Sequence, residues 1–186
     1  MSTALVVMDV QQNILSRYAN DATYLARLRR AIDAARRAKI RVVYVTVSFR
    51  PGYPEVSSRN KSFAAVTQGG GFVTGEAATA VPPEIAPAAG EVVVTKRRVS
   101  AFAGSDLDVV LRACDVDTLV LTGIATSGVV LSTLRQAADL DYRLVVLSDA
   151  CLDADAEVHR VLTEKVFARQ AEVLTVDQWA EQLARS

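Results

Sequence analysis

The sequence has few of the residues that build disulfide frameworks or metal centres. Its 186 residues include two cysteines, Cys114 and Cys151, and one histidine, His159. Two cysteines without metal-type spacing form no framework, and we expect both to be structural. His159 lies near Glu157 and Arg160 on a predicted helix, where we expect a solvated face rather than a metal ligand. We therefore predict that the chain holds no metal and no cofactor.

The chain also lacks an excess of charge and a long apolar run. Lys and Arg together number 21, as do Asp and Glu. This balance gives no electrostatic reason to expect a nucleic acid or a membrane surface as a partner. No apolar run reaches the ~18 residues of a membrane span, and no signal-type segment precedes the first predicted strand. We expect a cytoplasmic protein whose partner is a small-molecule substrate.

Apolar side chains are abundant, at 51% of the sequence, which predicts one folded domain over residues 1–186. Six short runs are apolar and mostly continuous rather than alternating, as in strands that are buried on both faces. These predicted strands are 4–8, 42–47, 92–95, 119–122, 144–147 and 173–176.

Helical patterns lie between most of these strands. The predicted helices are 24–38, 106–113, 129–138, 155–168 and 178–183. Strands that alternate with helices connect through right-handed crossovers. The pattern therefore predicts an α/β fold with a doubly wound parallel sheet.

The connection 49–90 is longer than the others and contains all five prolines of the chain and a run of three glycines. Such a segment is a binding loop or lid, or it is a plain surface insertion. The aromatic side chains of Phe49, Tyr53, Phe63 and Phe72 favour contacts with a pocket or an interface.

Candidate functional residues follow the predicted strands. Asp9 follows the first strand, Lys96 the third, and residues 123–128 the fourth. Open parallel sheets bind ligands beyond the carboxyl ends of their strands, so these groups point to one edge. A carboxylate and an ammonium in a partly apolar pocket can serve as acid and base. The alternatives are a capping aspartate and a solvated lysine.

The turn after the fourth strand has a mechanical interpretation. Gly123 permits a tight exit from the strand, and Gly128 has no Cβ to block a close approach. Thr126 or Ser127 can cap the next helix. Together with Ala125, Thr126, Ser127 and Gly128 form a candidate oxyanion hole, because a helix start offers free N–H groups and partial positive charge. The alternative is an ordinary capped helix.

Three separated segments, 4–13, 93–102 and 119–133, resemble the isochorismatase-like hydrolases, a superfamily that includes nicotinamidases, N-carbamoylsarcosine amidases and isochorismatases. Residues 141–151 are similar to the family's fifth strand. The resemblance implies a doubly wound, six-stranded parallel sheet with helices on both faces, in three α/β/α layers. It also implies a homodimer or a higher homo-oligomer.

The resemblance also implies roles for individual residues. Asp9 would be the general acid/base, Lys96 its partner, and a cis peptide bond would lie near residues 124–125. Val129 stands where the amidase branch carries its cysteine nucleophile, and a valine cannot form an acyl-enzyme. Residues 47–54 contain no set of metal ligands where the nicotinamidase branch has one.

Three functions remain open from the sequence. The chain hydrolyses a vinyl ether as isochorismatases do, or it hydrolyses a small amide, ester or enol ether with water activated by Asp9. Otherwise it is an inactive relative that binds a ligand or a subunit. For the substrate-binding pocket we expect side chains of Tyr18, Phe49, Phe72, Phe102 and Leu131.

Overall fold

The computed structural model describes residues 2–18 and 21–185, which form one six-stranded sheet with helices packed against it. All neighbouring strands are parallel, in the order β3-β2-β1-β4-β5-β6. The strands are β1 Ser2–Met8, β2 Arg41–Val47, β3 Val92–Lys96, β4 Val116–Ile124, β5 Arg143–Leu152 and β6 Glu172–Leu174. The predicted doubly wound parallel fold is confirmed.

The helices are α1 Gln12–Leu15, α2 Tyr24–Arg37, α3 Lys61–Gly69, α4 Leu107–Ala113, α5 Leu131–Asp139, α6 Ala156–Val161 and α7 Val176–Ala184. Two π-helical segments, Thr126–Val130 and Leu162–Val166, precede α5 and follow α6. The predicted helix 155–168 is therefore divided into α6, a π segment and a short 3-10 turn.

The core is divided between the two faces of the sheet because successive strand residues point to opposite sides. In β1, Val6 and Met8 belong to the cluster that includes α4 and α5 residues such as Leu111 and Leu134. Leu5 and Val7 belong to the opposite cluster, with α2 and α7. Burial of β1 on both faces explains its continuous apolar run.

The connection 49–90 is a structured wall rather than a plain insertion. It contains α3, which the sequence interpretation missed, with Asn60 as its N-cap: the Asn60 Oδ1 accepts a hydrogen bond from the Phe63 N–H at 3.2 Å. Phe49 and Phe63 pack edge to face, with ring centroids 5.5 Å apart. These rings join Val47 in a third apolar cluster beyond the end of β2.

The buried amide of Gln11 ties this wall to the sheet. Its Nε2 donates to the carbonyl oxygens of Val47 at 3.1 Å and Thr79 at 2.8 Å, and its Oε1 accepts from the Val47 N–H at 2.8 Å. Three bonds from one side chain hold the end of β2 and the wall beside the end of β1.

No helix in the described ranges is long and apolar enough to span a membrane.

Candidate active site

Asp9 and Lys96 meet at the carboxyl end of the sheet although β2 lies between their strands. Asp9 directly follows β1 with φ of 58°, and its N–H donates to the Val45 carbonyl at 2.8 Å. Lys96 ends β3, and its Nζ lies 2.9 Å from Asp9 Oδ2. Nζ also donates to the Arg98 carbonyl at 2.9 Å. The structure thus brings the predicted carboxylate and ammonium together.

This ion pair is almost fully removed from solvent. The Lys96 side chain is 2% exposed and the Asp9 side chain 8%. Burial raises the pKa of the Asp9 carboxyl, and the charge and hydrogen bond of Lys96 oppose that rise. Asp9 Oδ1 is buried without a hydrogen-bond partner among the described residues. Lys96 therefore holds one oxygen of the carboxylate, and no described protein group holds the other.

Gly123 lets β4 run closely beside the end of β1. Its φ is 140°, and a Cβ there would lie 2.2 Å from the Met8 carbonyl oxygen. The next peptide bond, between Ile124 and Ala125, is cis, as the resemblance implied. At Gly128 a Cβ would lie 3.8 Å from the Ala125 Cβ, an ordinary contact. The described protein atoms therefore require glycine at position 123 but not at position 128.

The start of the helical segment after β4 differs from the predicted capped α-helix. It begins as a π turn at Thr126, and neither Thr126 nor Ser127 caps it with a side chain. Thr126 Oγ1 instead lies 2.8 Å from His159 Nδ1, and the Ser127 N–H donates to Asp153 Oδ2 at 2.7 Å. The capping prediction was wrong because Ala125 occupies the N-cap position, which places Thr126 and Ser127 inside the first turn.

His159 is therefore not on a solvated helix face, as the sequence suggested. It is half-buried against Thr126, and this burial lowers the pKa of its imidazole while the nearby Asp153 carboxylate opposes the shift. The sequence around residue 159 could not predict this contact, because Thr126 lies 33 positions earlier in the chain.

A cavity of about 290 Å³ opens beside the Asp9–Lys96 pair. This volume is near the lower end of the range for ligand pockets and fits a small molecule. Val129 lines it, as do three of the predicted pocket residues, Tyr18, Phe49 and Phe72. The other lining residues are Ile14, Arg17, Val47, Ser62, Phe63, Val66, Val99, Ile124, Ala125 and Gly128.

Two of the predicted pocket residues lie elsewhere. Phe102 is buried in the core against Tyr142, with ring centroids 6.0 Å apart. Leu131 packs against the same core. Leu131 begins α5, two positions after Val129, so the two side chains leave the helical segment in different directions. The sequence interpretation also missed Arg17, for which only its position shortly after β1 was a signal.

The candidate oxyanion residues divide into two pairs. Ala125 and Gly128 line the cavity, whereas Thr126 and Ser127 bond to the His159 segment. The Gly128 N–H donates to the Ala125 carbonyl at 3.0 Å. The oxyanion role of this turn stays a prediction, and for Ser127 and Gly128 it conflicts with the bonds that their N–H groups already make.

Neither cysteine is among the residues that line the cavity. Cys151 is buried, its thiol contacts the Leu121 carbonyl, and burial raises its pKa to about 12. Cys114 packs at the edge of the core. Over residues 2–18 and 21–185, no group of three or more His, Cys, Asp or Glu side chains is placed to hold a metal ion.

Comparison with known proteins identifies the family. The model of the isochorismatase domain matches residues 3–178. The chain belongs to the isochorismatase family. An uncharacterized isochorismatase family protein of Bacillus subtilis is 33% identical over 182 residues, which cover 97% of this chain and 94% of that protein. The ureidoacrylate amidohydrolase of Stutzerimonas stutzeri is 34% identical over 197 residues, covering 94% of this chain and 76% of that protein.

Solved structures agree with this assignment. A cysteine hydrolase from Pseudomonas syringae superposes with a TM-score of 0.87 at 25% identity, covering 98% of this chain and 92% of that one. The N-carbamoylsarcosine amidase of Thermoplasma acidophilum superposes with a TM-score of 0.77 at 30% identity, covering 95% and 98%. The isochorismatase-like assignment of the sequence, to a family of hydrolases, is confirmed.

Proposed function

We propose that this isochorismatase-family protein hydrolyses a C–N bond of a small amide or ureido compound, with water as the nucleophile. The observation that carries the proposal is the Oδ1 of Asp9, which has no hydrogen-bond partner among the described protein groups and is buried beside the cavity, while Oδ2 is held by Lys96. A carboxylate oxygen in this state is ready to accept a proton from a water molecule bound next to it.

The proposed reaction uses Asp9 first as a base and then as an acid. The water oxygen forms a bond to the substrate carbonyl carbon while its proton moves to Asp9 Oδ1, which leaves a tetrahedral oxyanion. The C–N bond then breaks, and the leaving nitrogen takes the proton from Asp9. The products are a carboxylic or carbamic acid and an amine or ammonia, and the Asp9 carboxylate is regenerated.

Lys96 favours the ionised carboxylate of Asp9, which the first step of the proposed reaction needs as its base. Burial alone favours the neutral carboxyl, and the ammonium 2.9 Å away favours the carboxylate. The start of the helical segment at Thr126 adds partial positive charge for the oxyanion. Lys96 is thus proposed as the partner that sets the protonation of the base.

Water is proposed as the nucleophile because the cavity wall has no nucleophilic cysteine. Val129 has no lone pair, and the buried Cys151 thiol has its pKa raised to about 12. Two relatives are named as an amidohydrolase and an amidase, which supports C–N hydrolysis over vinyl ether hydrolysis. The vinyl ether reaction remains one arm of the test.

The test is a substrate panel with ureidoacrylate, N-carbamoylsarcosine, nicotinamide and isochorismate. We expect wild-type protein to hydrolyse at least one of the first three, and Asp9→Asn to lower its kcat/KM by about 100-fold or more. Asparagine tolerates the positive φ of position 9 but leaves the Lys96 ammonium buried without its counter-charge, so circular dichroism must first show that the variant is folded. Asp33→Asn, which removes an exposed partner of Arg29 on α2, is the control.

Intact-mass spectrometry during turnover separates water attack from covalent catalysis. We expect no enzyme adduct, and we expect one oxygen of ¹⁸O-labelled water in the acid product after a single turnover. An acyl-enzyme mass would refute the non-covalent route. Turnover of isochorismate alone would move the proposal to vinyl ether hydrolysis.

A second candidate function is a ligand-binding module without catalysis. It is favoured by the aliphatic side chain of Val129 in the cavity wall. This function predicts that no compound in the panel is hydrolysed and that ligand affinity is the same for wild type and Asp9→Asn.

A further inference from the structure

Arg17 is the second cation of the cavity wall, and it differs from Lys96 in having no carboxylate partner. Lys96 pairs with Asp9, whereas no ion pair within the described residues includes Arg17. The Arg17 guanidinium carbon instead lies 5.5 Å from the centroid of the Phe72 ring. An arginine that stacks on an aromatic face keeps the N–H groups of its edge available for another ligand.

Arg17 is exposed to solvent, and its guanidinium is the one charge of the cavity wall without a counter-charge among the described side chains. Asp9, Arg17 and Lys96 are its charged residues within the described ranges, and Asp9 and Lys96 balance each other. Tyr18 remains a neutral phenol, since burial and Asp153 raise its pKa more than Arg17 lowers it. The rest of the wall is largely apolar, so no described side chain of the wall neutralises Arg17.

We infer that Arg17 binds the anionic group of the substrate, and that the substrates of this enzyme are small amides or ureido compounds that carry a carboxylate. A guanidinium presents two parallel N–H donors that match the two oxygens of a carboxylate. This inference rests on the proposed function, because it names the substrate class for the same cavity.

Lys96 is a poorer anion site than Arg17. Two of the three N–H donors of its ammonium are already directed to Asp9 Oδ2 and to the Arg98 carbonyl, each at 2.9 Å, so it has no pair of free donors for a carboxylate. A substrate carboxylate at that point would also lie against the Asp9 carboxylate, and two like charges in a buried site repel each other. The geometry therefore separates the two tasks: Asp9 and Lys96 act on the amide, and Arg17 holds the anion.

Phe72, which also lines the cavity, supports this arrangement through its contact with the guanidinium. It belongs to the wall segment 49–90, whereas Arg17 lies just after α1. The Phe72 carbonyl accepts the Phe49 N–H at 2.8 Å, and this bond fixes the backbone of Phe72 within the wall. The Phe72 ring thus limits where the guanidinium can lie and reduces the conformational freedom that binding must remove.

The test measures binding, so that it does not depend on turnover. The probes are benzoate and nitrobenzene, which have nearly the same shape but differ in charge. Dissociation constants are measured by ligand-observed NMR for wild type, Arg17→Gln and Arg17→Lys. Arg59→Gln is the control, because it removes the same charge from an exposed position of the wall segment that does not line the cavity.

We expect Arg17→Gln to weaken benzoate binding by about tenfold or more and to leave nitrobenzene unchanged. Arg17→Lys should restore part of the affinity, since it keeps the charge but loses the two-donor fork. Arg59→Gln should bind both probes as wild type does. Equal benzoate affinity in wild type and Arg17→Gln would overturn the inference.

Kinetics then separate this inference from the proposed function. If ureidoacrylate is hydrolysed, Arg17→Gln should raise its KM by about tenfold with a smaller change in kcat, whereas Asp9→Asn should act on kcat. If no compound is hydrolysed, the hydrolase proposal fails, and the benzoate comparison still decides whether Arg17 binds anions.

Discussion

Two aspartate–cation pairs in this protein have opposite acid–base properties. Asp9 pairs with Lys96 at the carboxyl end of the sheet, and Asp21 pairs with Arg27 at the start of α2. Burial raises the pKa of Asp9 despite its ammonium partner. The Arg27 and Thr23 hydrogen bonds lower the pKa of Asp21 to about 2. The partner alone therefore does not decide the direction of the shift.

The difference comes from solvent. The Asp21 side chain is 32% exposed, so water still solvates its charge and each added donor favours the carboxylate further. The Asp9 side chain has lost this solvation, and one ammonium does not replace it. A buried pair of this kind is weak evidence for stability. Its presence at the cavity agrees with a role in chemistry.

The two pairs also contribute to stability in opposite pH directions. The pKa of Asp9 is raised in the folded state, so stability falls as pH rises from 3.8 through the folded pKa. The pKa of Asp21 is lowered, so its contribution is present above 3.8 and is lost as pH falls towards 2.

The largest expected effect on stability is that of Lys96→Met. Methionine fills the space but leaves the Asp9 carboxylate buried without a counter-charge, which should lower the free energy of unfolding by about 3–5 kcal/mol. The loss should be larger at pH 8 than at pH 5, because the neutral carboxyl is tolerated in the folded state. Urea titrations at both pH values measure it. A loss of the same size at both would show that the Asp9 charge is not its cause.

The double variant Asp9→Asn, Lys96→Met should recover about 2 kcal/mol of what Lys96→Met loses. Removing both charges avoids an uncompensated buried ion, and such replacements are often neutral for stability. Urea unfolding of the two singles and the double gives the coupling free energy. Additive effects of the two substitutions would mean that Asp9 and Lys96 are not coupled.

Breaking the half-buried contact between Thr126 and His159 should have an effect on stability that lies between the effects of breaking the two ion pairs. Thr126→Val keeps the shape and removes the hydrogen bond to Nδ1, which should cost about 1 kcal/mol in unfolding free energy.

The pH dependence of the same contact provides a second measurement. Burial lowers the folded pKa of His159, so the imidazole makes stability fall as pH drops below 6.5. His159→Gln should reduce this dependence, as urea titrations at several pH values between 5 and 7 will show. The same pH slope in wild type and His159→Gln would show that His159 is not responsible for it.

The smallest expected effect is that of Asp21→Asn. A partly exposed ion pair such as Asp21–Arg27 should contribute about 1 kcal/mol or less, and salt screens it. Thermal unfolding at low and high salt should show a small loss that shrinks as salt increases. A loss as large as that of Lys96→Met would remove the distinction between the buried and the exposed pair.

The sheet and the Asp9–Lys96 pair were predictable, whereas much of the cavity wall was not. Asp9 and Lys96 each end a recognisable apolar strand, so the parallel sheet places them at one edge. Phe102 and Leu131 were assigned to the pocket from residue type and proximity in sequence, but Phe102 is in the core and Leu131 packs against it. Arg17 was missed because its partner Phe72 lies 55 positions later on another segment.

The apolar strand runs and the glycine at position 123 specify the sheet from the chain alone, because strand burial and backbone freedom are properties of short stretches of sequence. The protonation of Asp9 and the partners of Arg17 and His159 do not follow from short stretches. They depend on which distant segments exclude water from these side chains and place charged or polar groups within a few ångströms of them. Those segments come together only after the chain has folded.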